Sequence, residues 1–466
     1  MPMRLVLLLI ALVVAAGQPS LRDLRFGAVE PYDAPQAAAQ LGLGWGRVRF
    51  HWGWTQPNGP DDWVETEFTA RDLAGELAAG RQVVGILIGI PDWARDPKTD
   101  LPKGLYLPHD DPANTWAGFV RTAASRFAGK IDHWVIWNEP DVWDEDHPAH
   151  TWSGTVEDFA QLERVAYLAA HAANPNAVVH LAAMAHWWDA DYGRELYFRR
   201  LLAALAAAPD AAAHRYYFDA ASVHVYFNPA QVYDLIRLYR ARLDDFGMDQ
   251  PIWVLETNAP PSEDPTWPVA EPSRKVSLRE QAAFIPQALA LAMAAGAERV
   301  CIYKLVDIET DKAANPEPFG LVRMDGSARP AFETTQVALA LMRGATGFRW
   351  VDRHTIGRVV WQQGERRVTM LWSRLPAWLT AQFPAQTGRA TLIDAFGRER
   401  PISAREGYYR IDLPAAECQE TVEDYCMIGG LPMYLVEETR VSAVGRLQGE
   451  GAPPSPTPGW PWQAQD

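Results

Sequence analysis

From Leu24 onward the chain alternates two hydrophobic patterns. Short apolar runs at Arg25–Val29, Gly46–Phe50, Val83–Gly89, His133–Trp137, Val178–Ala183, Ala221–Val225, Ile252–Leu255 and Arg299–Lys304 read as buried strands. Between them, Phe68–Ala79, Trp116–Phe127, Val156–Ala173, Leu196–Ala208, Val232–Asp244 and Leu278–Ala294 place apolar residues at three- and four-residue steps, one face of a helix. Asn114 and Thr155 stand where helix N-caps belong. Strands alternating with helices in this way predict a parallel (β/α)8 TIM barrel over residues 22–344. A doubly wound open sheet is the competitor, but the first strand runs into Glu30-Pro31-Tyr32-Asp33 rather than a glycine-rich phosphate loop.

Beyond the barrel the helical period stops. Short alternating runs at Phe348–Val351, Ile356–Gln362, Arg367–Trp372, Ala390–Ile393, Tyr408–Ile411 and Met433–Val436, with turns such as Gly364-Glu365 and Phe396-Gly397, predict a small C-terminal β-sandwich-like domain over 345–440. Residues 441–466 become Pro-rich and read as a flexible tail.

The ends and the cysteines bear on compartment. A basic start, an apolar stretch from Leu5 to Ala16 and small residues up to Gly17 predict a signal peptide over 1–17, hence a secreted or extracytoplasmic protein. An uncleaved N-terminal anchor is the alternative, and no later apolar run is long enough to span a bilayer. Cys418 and Cys426 are close enough in sequence to close a short disulfide loop in an oxidising compartment, whereas Cys301 sits in an apolar run. The 466-residue chain carries a net charge of −15, which disfavours nucleic acid as a partner because phosphate binding needs clustered Lys and Arg. The Cys and His spacings match no metal site, and the reading calls for no cofactor. The 20 Trp residues are an excess that core packing or stacking on flat ligands must absorb.

Chemistry in a barrel sits at the C-terminal ends of its strands. Two predicted strands end close to a Glu. The fourth runs into Trp137-Asn138-Glu139-Pro140, where Pro140 cannot extend the ladder, and the seventh into Leu255-Glu256-Thr257-Asn258. Carboxylates converging from strands four and seven are what glycoside hydrolysis uses, and a spacing of about 5–5.5 Å would make it retaining.

These motifs resemble the retaining (β/α)8 glycosidases of glycoside hydrolase clan A, families 39 and 5 in particular, over roughly Leu24 to Phe332. The resemblance implies that Glu139 is the acid/base and Glu256 the nucleophile, with an oligosaccharide, polysaccharide or glycoside as substrate. It implies that Asn138 bonds the sugar 2-hydroxyl, that Arg49 sits beside the nucleophile, that His224 and Tyr226 line the site and orient Glu256, and that Trp93 lies near the sugar. The family usually ends strand eight in a Trp that floors the sugar site. Here Tyr303 and Lys304 stand there, so either Tyr303 substitutes or the floor comes from elsewhere, and Lys304 either pairs with a barrel carboxylate or binds an acidic sugar. The same carboxylates would serve a transglycosylase, and a barrel without the chemistry would bind carbohydrate only.

Other residues past strand ends carry weaker expectations. His51, Trp52 and Trp54 line or cap the cleft, as do His186, Trp187 and Trp188, and Trp267 lies in a long loop as a candidate lid. The acidic stretch around Asp141 to Asp146 reads as a solvated loop, and His147 with His150 as surface residues rather than half a metal site.

Overall fold

The computed structural model describes residues 22–352 and 354–439; the signal peptide expected over 1–17 and the tail expected over 441–466 lie outside these residues. Eight parallel strands form one sheet: β1 (Asp23–Val29), β2 (Leu43–His51), β3 (Gln82–Ile88), β4 (His133–Asn138), β5 (Val178–Ala183), β6 (Ala221–Tyr226), β7 (Ile252–Asn258) and β8 (Arg299–Ile302). β1 pairs with both β2 and β8, and the ring closes where β5 meets β6 through bridges at His180–Ala220 and Met184–Val223. The sheet is therefore a barrel, and its strands are buried on both faces, which is why they read as continuous apolar runs.

Eight helices wrap it: α1 (Pro35–Leu41), α2 (Ala70–Ala78), α3 (Thr115–Arg126), α4 (Val156–Ala173), α5 (Tyr197–Ala206), α6 (Pro229–Asp245), α7 (Leu278–Ala295) and α8 (Pro330–Met342). Their starts are chemically defined. The Asn114 side chain accepts from the Ala117 N–H at 3.1 Å, and Thr69, Thr155 and Ser277 form reciprocal capping boxes with Asp72, Asp158 and Glu280. These caps satisfy N–H groups that the first turn leaves without partners.

Inward positions fill the barrel. Trp45, Val84, Val135, Trp253, Leu255 and Cys301 form one buried cluster inside the ring. At its base Trp45 and Trp253 pack with centroids 5.3 Å apart, and His133 and His180 meet at 3.0 Å against Trp253. Burial holds both imidazoles well toward the neutral form.

After α8 the chain builds an antiparallel sheet from β9 (Thr346–Asp352), β10 (Ile356–Gln363), β11 (Arg366–Ser373), β13 (Arg389–Ile393), β14 (Glu399–Ser403) and β18 (Met433–Glu438). Two small ladders join β12 (Leu379–Pro384) to β15 (Tyr408–Leu413), and β16 (Thr421–Val422) to β17 (Tyr425–Cys426). This part packs on the barrel through α7 and α8: Gln287 donates to the Gly430 carbonyl at 3.0 Å, and the Trp361 indole to that of Leu341 at 2.9 Å. Cys418 and Cys426 are disulfide-bonded, and Cys301 is free and buried.

Candidate active site

Two backbone irregularities set the site. On β7, Val254 pairs with Val223 but Glu256 pairs with His224, so one extra residue is accommodated; the β8 side shows the same slip between Val254 and Thr257. In a regular strand with Trp253 and Leu255 inward, Glu256 would face the helices. The bulge turns its carboxylate into the barrel instead. On β4, Trp137 and Glu139 hold left-handed φ values of 75° and 43°, and Glu30, His186 and Phe227 at neighbouring strand ends are also left-handed. Such conformations cost roughly 1–3 kcal/mol each in non-glycine residues and concentrate where geometry serves function.

The bulge and the β4 exit bring the two carboxylates together. One oxygen of Glu139, one nitrogen of His224 and one oxygen of Glu256 lie within 4.8 Å of one another. His224 Nδ1 is 2.7 Å from Glu139 Oε1 and 3.5 Å from Glu256 Oε2. Its Nε2 faces Arg47 Nη1 at 3.5 Å. A guanidinium only donates, so Nε2 accepts and Nδ1 carries the hydrogen toward the carboxylates. Glu256 is gripped on both oxygens, by Arg47 on Oε1 and the Tyr226 hydroxyl on Oε2. Burial works against its charge, but Arg47, His224 and the Tyr226 bond together hold its carboxyl below the ordinary range. Burial raises the Tyr226 hydroxyl far above its usual range, reinforced by Glu256, so it stays a donor. The trio of Glu139, His224 and Glu256 has a spacing a divalent cation could use, but both oxygens of Glu256 already face donors and one of those is a fixed positive charge.

The arginine beside Glu256 is Arg47, not Arg49. Both alternate inward on β2, but Arg49 lies two residues higher, about 7 Å along the strand. There it pairs with Glu67 at 2.7 and 2.9 Å and lies over the Trp54 ring, at the exposed rim. Two arginines of equal parity on one strand differ only in depth, so the local sequence does not mark Arg47 as the one that reaches Glu256.

Several predicted aromatic contacts are elsewhere. Trp52 is fully buried, stacked on Phe119 at 5.1 Å behind the strands, because its side chain turns toward α3. Trp93 is half-buried, edge-on to Trp52, with its indole bound to the Gln56 carbonyl. Trp267 is buried with its indole on the Pro316 carbonyl and Lys312 over its ring, so it fastens its loop rather than standing open as a lid. Lys304 is buried between Glu30 at 2.6 Å and Asp311 at 3.0 Å, and these two carboxylates raise its pKa against the opposing effect of burial. It meets the first half of its expectation, a barrel ion pair, with its charge shared by two carboxylates.

Tyr303 and Asn138 stay at the mouth. The Tyr303 ring stands edge-on to Tyr226 at 6.2 Å and to Phe319 at 5.1 Å, and its hydroxyl accepts from Asn315 at 3.0 Å. Asn138 ends β4 half-buried, with its carbonyl accepting from Thr151 at 2.6 Å. His186 is nearly buried, and burial lowers its imidazole to about 4.

Asp141 is not a solvated loop residue. It is buried, and its carboxylate accepts the Ala185 and His186 N–H groups at 2.9 and 2.7 Å, tying the β4 exit to the β5 exit. Burial, with Glu139 adding to it, pushes its carboxyl up to about 7 against those two bonds. Farther out, exposed Trp143 and Tyr192 pack with half-buried Trp188, with Arg194 over the Trp143 ring at 4.5 Å.

No protein-family model matches the chain, and no curated protein sequence does. Among solved structures it resembles a family 39 glycoside hydrolase from the gut symbiont Bacteroides cellulosilyticus WH2, with TM-score 0.65 and 17% identity over 89% of this chain and 81% of the other. It also resembles a glucosidase from Croceicoccus marinus (TM-score 0.59, 14% identity, 90% and 96% covered) and a family 30 endoxylanase from Clostridium papyrosolvens C71 (TM-score 0.53, 14% identity, 90% and 97% covered). The shared property is the fold: a (β/α)8 barrel followed by a β region, the architecture of these glycoside hydrolases.

Proposed function

We propose that the protein is a glycoside hydrolase that works by double displacement with retention, with Glu139 as acid/base and Glu256 as nucleophile. The observation that carries this reading is the close approach of the two carboxylates, with oxygens within 4.8 Å, at the C-terminal mouth of the barrel. Oxygens this close suit direct attack, for which the carboxyl groups lie about 5–5.5 Å apart, better than an inverting pair about 6.5–9.5 Å apart with a water between.

The environments suit a division of roles. Glu256, held ionised by Arg47 and Tyr226, attacks the anomeric carbon as Glu139 gives its proton to the departing glycosidic oxygen. The C–O bond to the aglycone breaks and a bond from the sugar to Glu256 forms. Glu139, now ionised, takes a proton from water, whose oxygen attacks the same carbon and frees Glu256. His224 bridges the two carboxylates and supplies a hydrogen bond to Glu139 in its ionised form. Tyr303 provides an aromatic face beside Glu256, and Asn138 stands one residue before the acid/base, within the reading that both contact the sugar. The substrate is an oligosaccharide, polysaccharide or other glycoside. The Cys418–Cys426 disulfide, with the apolar leader, supports an exported enzyme.

The test is chemical rescue. Glu139→Ala should lose most activity on natural glycosides yet recover on an activated aryl glycoside when azide is added, yielding the glycosyl azide of retained configuration. Absence of rescue, or an azide product of inverted configuration, overturns the assignment.

A further inference from the structure

A cavity opens at the barrel mouth, at the ends of β2, β3 and β4, and neither Glu139 nor Glu256 lines it. Its volume is about 240 Å³, and His51, Gly89, Arg95, Asp100, His150 and Ser153 are among the residues around it. It is joined to the catalytic strand. Thr151, on its wall, donates to the Asn138 carbonyl at 2.6 Å and accepts from the Trp137 indole at 3.1 Å. It therefore lies on the same face as Glu139, across the mouth from Glu256.

The cavity is built rather than left over. Gly89 has φ +87°, and a Cβ there would fall 2.6 Å from the His51 ring, so only glycine lets that ring close on β3. The ring is stacked on Trp54 with centroids 4.3 Å apart, and its Nδ1 is buried with no hydrogen-bond partner among the described residues. Burial, then the nearby Arg49, lowers the His51 pKa and favours the neutral ring, in which Nδ1 is closed off and Nε2 is the nitrogen on the Gly89 side. Arg95 is fixed by Asp100 at 2.8 Å and by the Ile90 carbonyl at 3.0 Å, so its charge is balanced in place. His150 is set by the Val142 carbonyl at 2.7 Å, which puts its hydrogen on Nδ1 and leaves Nε2 to accept, 3.4 Å from the Ser153 hydroxyl.

Donors and acceptors are thus both present around a small cavity whose charges cancel, with Ile88, Ile90 and Trp152 as apolar wall. A sugar hydroxyl both donates and accepts, and a sugar ring presents apolar C–H edges between its hydroxyls. We propose that this cavity holds a second, uncharged sugar ring of the substrate, so that the enzyme takes a chain of at least two sugar units. This rests on the glycosidase reading and extends it to the size of the substrate.

The experiment compares 4-nitrophenyl monoglycosides with the corresponding 4-nitrophenyl biosides, for glucose and for xylose, in wild type, Arg95→Met and His51→Phe. The quantity read is the ratio of kcat/KM for bioside over monoglycoside. Wild type should favour the bioside, and each variant should lower the ratio about tenfold, mainly through KM, as loss of a charge-assisted or well-aligned hydrogen bond does. His51→Phe keeps the ring on Trp54 and carries the test if Arg95→Met fails to fold. A wild type that cleaves both substrates with a ratio near one, or variants that leave the ratio unchanged, overturns the second-ring site and leaves the glycosidase reading standing. A wild type that cleaves no glycoside overturns both.

Discussion

At the scale of single residues, Arg47 and Arg49 give the sharpest contrast. They are two positions apart on one strand, yet one touches Glu256 and the other a rim carboxylate. Arg47→Met should lower kcat/KM by about 10²–10³, the range for removing a preorganised donor at a reacting group. It should also move the acidic limb of the pH–rate profile to higher pH. The sign follows from Glu256: Arg47 helps to keep its carboxyl low, so without that charge a higher pH is needed to ionise it. Arg49→Met should leave the acidic limb in place. Steady-state kinetics across pH on both variants checks this. Glu256→Gln should cut turnover by several orders of magnitude with the fold retained, and should lower the melting temperature because buried Arg47 loses its charge partner, read by kinetics and calorimetry together. The tryptophans teach the same lesson about direction. Trp52, Trp137 and Trp143 all follow strand ends in sequence, but the first two are buried and only the third is exposed. Position along the chain places a side chain near the mouth; the turn it sits on decides whether it faces the cleft.

At the scale of elements, Asp141 joins two loops. Asp141→Ala would leave the buried His186 N–H unpaired, at about 1–3 kcal/mol, and the part-buried Ala185 N–H at less, and should lower both Tm and kcat. Its folded-state pKa of about 7 lies above the unfolded value near 4, so the stability tied to its protonated form is complete below about pH 4 and declines as the pH rises toward 7. Denaturant unfolding of Asp141→Asn should show a flatter dependence over that window than wild type. Much at this scale was legible in the sequence. The apolar runs of β5 and the periodicity of α4 give those elements to the residue, and Asn114 and Thr155 are N-caps. β12 and β14 were not legible: Leu379–Pro384 alternates but is short, mostly half-buried on its inner side and ends in a Pro, and Glu399–Ser403 is an edge strand whose charges blur the alternation that marks a strand. The β7 bulge was equally hidden. Glu256 could be placed at a strand end, but nothing local shows that an extra residue turns it inward; that slip is fixed by pairing with β6 and β8.

At the scale of the molecule, the loops after β7 and β8 and the start of α8 are locked by a buried charge network. Asp264 binds Arg323 at 2.8 Å and Arg329 at 2.7 Å, and Arg329 also pairs with Asp307. Breaking a buried pair leaves an uncompensated charge, so Asp264→Ala should cost about 3–5 kcal/mol of stability. Burial opposes its charge, but bonds from Thr266 and the two arginines hold its carboxyl at about 2. Its stabilisation is therefore present above the ordinary carboxylate range and lost as pH falls toward 2, the reverse of Asp141. Equilibrium unfolding between pH 2 and neutrality in both variants separates the two slopes. The barrel itself follows from the alternation of apolar runs and helical periods. The meeting of its fourth and seventh strand ends follows from closure of the ring, which no single segment encodes.

The central claim is that Glu256 forms a covalent bond to the sugar. Incubating the enzyme with a 2-deoxy-2-fluoro aryl glycoside of a sugar it cleaves, then mapping peptides by mass spectrometry, tests it directly. The account predicts one sugar adduct per chain, on Glu256 and no other residue. An adduct on a different carboxylate, or turnover of that sugar's unmodified glycoside with no adduct from the fluorinated one and with inverted product, would contradict it.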